Sequence, residues 1–137
     1  MKQNVRISVT GQNGADAPIK TEYDGKLLYK EPYYYASYEE QMDPDSAESS
    51  HTVLRFDEKS LRVTRRGAVE SVLFYEPGKT WSAPYSTPLM DFSVTLLTTE
   101  FSAEHTEKEI RLQVRYRIGF NDASPTTGNL QIHIYFT

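Results

Sequence analysis

The chain has 137 residues, 38% hydrophobic and 12% aromatic, with a net charge of −4, which suits one core of ordinary domain size. It has no cysteine, which excludes disulfides, thiol nucleophiles and thiolate metal sites. The acidic balance, with both signs interspersed, argues against a general nucleic-acid binder. No apolar run has signal-peptide or membrane-spanning length, so the cytoplasm is the expected address.

The predicted elements are strands almost throughout. Arg6 to Thr10 puts Ile7 and Val9 on one face, and Gly11, Asn13, Gly14 and Pro18 then turn the chain. Ile19 to Tyr23 reads as a second strand. Asp24-Gly25 is a hairpin-type dipeptide, so Lys26 to Lys30 either returns from it or continues after a bulge. Tyr33 to Glu40 is the next strand. Asp43 to Ser50, acidic and containing Pro44, reads as an exposed loop. Thr52 to Phe56, Leu61 to Arg66 and Val69 to Tyr75 follow, then the Pro77-Gly78 turn and Thr80 to Thr87.

The last part of the chain is the most regular. Leu89 to Phe101 alternates through Met90, Phe92, Val94 and Leu96, and Ser102 to Lys108 reads as a polar turn. From Ile110 to Phe120 every second residue is large and apolar, a period of two that a helix would scatter around its circumference. Leu130, Ile132, Ile134 and Phe136 repeat the pattern. Eight to ten short strands at even spacing, without a helix of ordinary length, predict an all-β fold. The expected form is a single up-and-down antiparallel barrel over residues 1–137, with its final strand closed onto Val5 to Thr10.

Several short motifs occur in order: Tyr35-Ala-Ser37-Tyr38-Glu39-Glu40, Thr52-Val53, Arg65-Arg66-Gly67-Ala68-Val69, Phe74, Gly78 and Tyr85-Ser-Thr87. In this order and spacing the chain resembles the YwiB-like family of uncharacterised bacterial proteins over its whole length. It departs from the family's pattern at Pro88-Leu89-Met90, where the family tends to have glycine. The resemblance implies a calycin-like, lipocalin-like barrel in the bacterial cytoplasm. It implies no activity.

Arg65 is the most pointed candidate for chemistry. It falls on the apolar face of Leu61, Val63 and Val69 unless a bulge intervenes, and an inward arginine must be paired or solvated. One reading has Arg65 meet an anionic ligand through its bidentate fork. The other has it paired to Glu39 or Glu40, one of which alternation sends inward, or turned to solvent by a bulge at Gly67. Tyrosine offers a flat apolar body with a hydroxyl, so Tyr33 and Tyr35 join Arg65, Glu39 and Glu40 as candidate ligand-binding residues. The reading favoured for the cluster Tyr33, Tyr34, Tyr35 and Tyr38 is sheet packing and cross-strand pairing on both faces.

The three histidines lack metal-ligand spacing, and there is no nucleophile elbow and no phosphate-binding glycine loop. No cofactor, metal or catalytic residue is expected. Arg111, Arg115 and Arg117 form an outer cationic stripe that reads as cross-strand pairing, and Trp81 reads as a barrel-end cap. Three functions follow in order: a small-molecule, anion-binding module; a non-catalytic barrel acting through its surface in a homodimer or complex; a small-barrel lyase. The partners expected are a small ligand or a second copy, with no nucleic acid or membrane. An unpaired Arg65 at a pocket's base favours binding. An Arg65 locked to glutamate in a filled barrel favours the surface reading. A patch around Tyr34, Tyr38 or Trp81 would point to a dimer.

Overall fold

The computed structural model describes residues 2–41, 48–121 and 123–137. Ten antiparallel strands form a closed barrel. They are β1 (Gln3–Asn13), β2 (Ile19–Lys30), β3 (Tyr33–Gln41), β4 (Ser49–Phe56), β5 (Leu61–Gly67), β6 (Glu70–Tyr75), β7 (Thr80–Ser86), β8 (Asp91–His105), β9 (Glu109–Phe120) and β10 (Thr126–Phe136). Each strand pairs with its sequence neighbours, and β10 closes onto β1 with Val5 opposite Phe136 and Asn13 opposite Gly128. Closure pairs every edge, as the apolar final strand requires.

The alternation read from the sequence is the alternation of burial. Ile110, Leu112, Val114, Tyr116 and Ile118 face inward, while Arg111, Arg115 and Arg117 face out. Of the outer stripe, Arg115 pairs with Glu100 across the β8–β9 ladder, whereas Arg111 pairs with Glu109 two residues away on its own strand. The fully buried centre includes Ile7, Leu54, Leu61, Leu96, Ile132 and Ile134. Among the described residues no helix is long and apolar enough to cross a membrane.

Three expectations are corrected. Asp24-Gly25 makes no hairpin, because β2 runs straight through it. A Cβ on Gly25 would lie 2.6 Å from both the Ile7 Cδ1 and the Ser37 carbonyl, so the glycine admits a close strand approach rather than a turn. The polar stretch from Ser102 is strand as far as His105, held by the ladder to Leu112 and Ile110. Trp81 does not cap a barrel end. It stands in the seam between β6 and β7, where its indole Nε1 donates to the Val72 carbonyl at 2.7 Å. The predicted loop from Asp43 lies outside the described residues up to 47, and Ser49 and Ser50 belong to β4.

Candidate functional site

The register threads one row of side chains across six strands. Tyr38 faces Thr52, Thr52 faces Arg65, Arg65 faces Ser71, Ser71 faces Tyr85 and Tyr85 faces Phe92. Directly opposite residues share a face, so the whole row points into the barrel with buried Tyr38, Thr52 and Ser71. It lies toward the end that carries the β3–β4, β5–β6 and β7–β8 connections. Gly67 has φ +126°, but Arg65 two residues earlier keeps its register with Thr52 and Ser71. No bulge turns it to solvent.

Glu40, two residues after Tyr38, also points inward. Arg65 Nε donates to Glu40 Oε1 at 3.1 Å, and Thr52 Oγ1 donates to the same oxygen at 2.7 Å. The two side chains are 21% and 25% exposed, so this pair is largely desolvated. Arg65 and Glu40 are the arginine and the carboxylate on the inner faces of the described strands, while His105, opposite Ile110, shares that face at the other barrel end. The guanidinium uses one of its donors on Glu40; among the described residues Nη1 and Nη2 make no hydrogen bond. Ser71 Oγ is buried and likewise lacks a partner there, which is uncommon for a buried hydroxyl.

Tyrosines wall this pair. Tyr38 stacks on Tyr23 with ring centres 4.4 Å apart, Tyr75 meets Tyr116 edge-on at 5.5 Å, and Tyr85 stacks on Phe92 at 5.0 Å. Burial raises the pKa of Tyr38, and the Glu40 charge raises it further against the opposing pull of Arg65. Burial also raises Tyr75 and Tyr116, again against Arg65. These phenols are therefore hydrogen-bond donors at neutral pH, not bases. Burial works against the charge on Arg65, but the Glu40 carboxylate and, once ionised at high pH, the phenolates of Tyr85, Tyr38 and Tyr75 outweigh it, and the net direction is upward. The guanidinium stays charged.

Beside this row β6 and β7 are joined only by Glu70 with Ser86 and Ser71 with Tyr85. A cleft of about 470 Å³ opens at this seam. It takes its lining from both faces of the sheet, including Arg65, Ser71 and Tyr85 with Arg66, Val72 and Pro84. Proline has no amide hydrogen to donate, which suits Pro84 to a thinly paired strand.

Of the sequence candidates, the structure brings Arg65 and Glu40 together and leaves Tyr33, Tyr35 and Glu39 outside. β3 is phased by Ala36 and Tyr38, which are buried, so the odd-numbered positions face out. Tyr33 lies under the guanidinium of Arg55 at 4.4 Å, Tyr35 stands opposite Arg55 in the ladder, and Glu39 pairs with His51. Sequence reading missed Thr52, Ser71, Tyr75 and Tyr85 as partners of Arg65. They lie on different strands, and only the register makes them neighbours. Tyr34 and Tyr38, named for an exposed patch, face inward instead. Tyr34 stacks on Phe56 and reaches across the opposite barrel end to His105 Nδ1 at 3.3 Å. Among the described residues no three His, Asp or Glu side chains converge as a metal site would require.

A closed antiparallel barrel with one internal arginine–carboxylate pair and a tyrosine lining is the class this geometry defines. A family model described as a domain of unknown function, DUF1934, matches residues 4–134, and the chain belongs to that family. The ywiB protein from Bacillus subtilis has a solved structure similar to this one, with TM-score 0.85 and 19% identity over 99% of this chain and 93% of that one. The similarity bears out the YwiB-like barrel expected from the sequence. No curated protein matches the chain.

Proposed function

We propose that the barrel binds a small organic anion at Arg65. The observation that carries this reading is an arginine side chain four-fifths buried that lines an open cleft and whose terminal nitrogens have no acceptor among the described residues. Glu40 holds Nε and fixes the orientation; the fork that suits a carboxylate points elsewhere. Arg65 is thus neither unpaired nor fully occupied. Nη1 and Nη2 keep contact with solvent, whereas the neighbouring Ser71 hydroxyl is buried without a partner among the described residues, and a ligand carboxylate can accept from all three. The stacked Tyr85 and Phe92 offer the apolar wall that small-molecule sites share. The protonated phenols favour binding over lyase chemistry, because a phenol that keeps its proton is a poor base.

Native mass spectrometry of protein purified at low salt without heating tests the reading. The expected result is a reproducible bound mass of a few hundred daltons that is lost in Arg65→Ala. A clean apo mass, with no carboxylate binding in titrations, sinks it. The surface-acting reading keeps one observation in its favour, the exposed Leu89 and Met90 at the β7–β8 turn with half-exposed Phe120. A dimer peak in the same spectrum, abolished by Leu89→Ser, would support that reading.

A further inference from the structure

We propose that Glu40 sets the charge selectivity of the Arg65 site, so that it accepts the single charge of an organic carboxylate and refuses a dianion such as a phosphomonoester. This inference rests on the anion-binding reading above. Glu40 cannot swing away from an incoming anion, because Thr52 Oγ1 and Arg65 Nε both hold its Oε1, at 2.7 and 3.1 Å. The two inward charges cancel. A monocarboxylate brings the chamber to one net negative charge, which the guanidinium and neutral donors can share. A dianion brings it to two, and among the described residues no second lysine or arginine shares the inner face; Arg66 alternates to the outer face, where it lines the cleft together with the acidic Glu70 and Asp91. Like charges within a few ångströms repel far more strongly in a desolvated site than in water.

The neutral donors fit the same conclusion. Ser71 Oγ is buried, has no hydrogen-bond partner among the described residues and stands between Arg65 and Tyr85 in the row. A hydroxyl there supplies a further hydrogen bond to a carboxylate oxygen without adding charge. A site built for a dianion would place a lysine or a second arginine where Ser71 stands. The Tyr85–Phe92 stack matches an organic acid with a flat apolar body.

Three probes sharing one ring separate charge from shape: benzoate, phenyl phosphate and methyl phenyl phosphate. At pH 8 phenyl phosphate is largely a dianion, because a phosphomonoester's second pKa is about 6, and the other two carry one charge. Calorimetric titration of the full chain is expected to rank benzoate first, with phenyl phosphate about tenfold weaker or worse. Methyl phenyl phosphate should bind better than phenyl phosphate despite its extra bulk. In Glu40→Gln both anions should bind more tightly, phenyl phosphate the more so, and its deficit relative to benzoate should shrink by about tenfold. Ser71→Ala should weaken benzoate a few-fold. Phenyl phosphate binding the natural chain as tightly as benzoate, or an unchanged ratio in Glu40→Gln, would overturn the selectivity while leaving anion binding intact. Failure of all three probes to bind would overturn anion binding itself and this inference with it. Should Glu40→Gln not fold, the comparison of the two phosphate esters on the natural chain decides the question.

Discussion

Arg65 and Glu40 are placed by their neighbours rather than by their own preferences. A charge taken into a barrel costs several kcal/mol unless it is paired, and each of these residues makes the other tolerable. Arg65→Ala leaves Glu40 desolvated without its cation, and a loss of about 1–3 kcal/mol is expected in denaturant unfolding. The double change Arg65→Met with Glu40→Leu should recover most of that stability, since apolar replacements of a buried pair are often neutral or better. Ligand capture should stay lost. Recovery of both would show that the pair is structural only. The buried tyrosines carry a second expectation. Their folded pKa values lie above the unfolded value of about 10, so the folded state holds protons that the unfolded chain releases. Their contribution is complete below that value and is lost as pH rises above it. Unfolding midpoints should fall above about pH 10, and Tyr75→Phe should flatten that fall.

At the scale of elements, the barrel is unevenly tied. Most neighbouring strands share long ladders, whereas β6 and β7 meet only at Glu70–Ser86 and Ser71–Tyr85. Trp81 mends the seam, because its indole N–H takes the place of an absent ladder donor at the Val72 carbonyl. Trp81→Phe keeps the ring packing against Phe74 but removes that donor, and a cost of about 1–2 kcal/mol is expected. Hydrogen exchange should report it as faster opening of β6 and β7 than of β9 or β10. A like-charge pair sits on the opposite flank of β5: Arg55 and Arg62 face each other across the β4–β5 ladder, and the Nε of each is buried without a hydrogen-bond partner among the described residues. Arg62→Glu should raise the thermal midpoint through a gain of about 0.2–1 kcal/mol.

At the scale of the whole molecule, closure is what turns ten half-buried strands into one interior. Most strands are greasy on one face only, so the row from Tyr38 to Phe92 becomes an enclosed wall only when β10 meets β1. The ring of Tyr116 on β9 lies over its ladder partner Gly128 of β10, where a Cβ would lie 2.3 Å from it, and closure brings the same ring beside Tyr75 of β6. Such contacts span the barrel and belong to no single element.

The sequence by itself determined the strands, the faces of most of them and the closure of the last onto the first. Period-two alternation is a local property, and Ile110 to Phe120 or Leu130 to Phe136 can satisfy it in one way only. It also brought Arg65 to the inner face unless a bulge intervened, and left open whether a ligand, an acidic side chain or solvent met it. Phase failed where both faces of a strand carry similar side chains. In Tyr33-Tyr34-Tyr35 the residue types do not distinguish inside from outside, and the small, buried Ala36 decides it. The tertiary structure alone decided that Glu40 and not Glu39 meets Arg65. It also decided that Thr52 and Ser71 flank the guanidinium and that Asp24-Gly25 continues a strand. Each of these depends on register between strands distant in sequence, and register is fixed by the packing of the whole barrel rather than by any stretch of the chain.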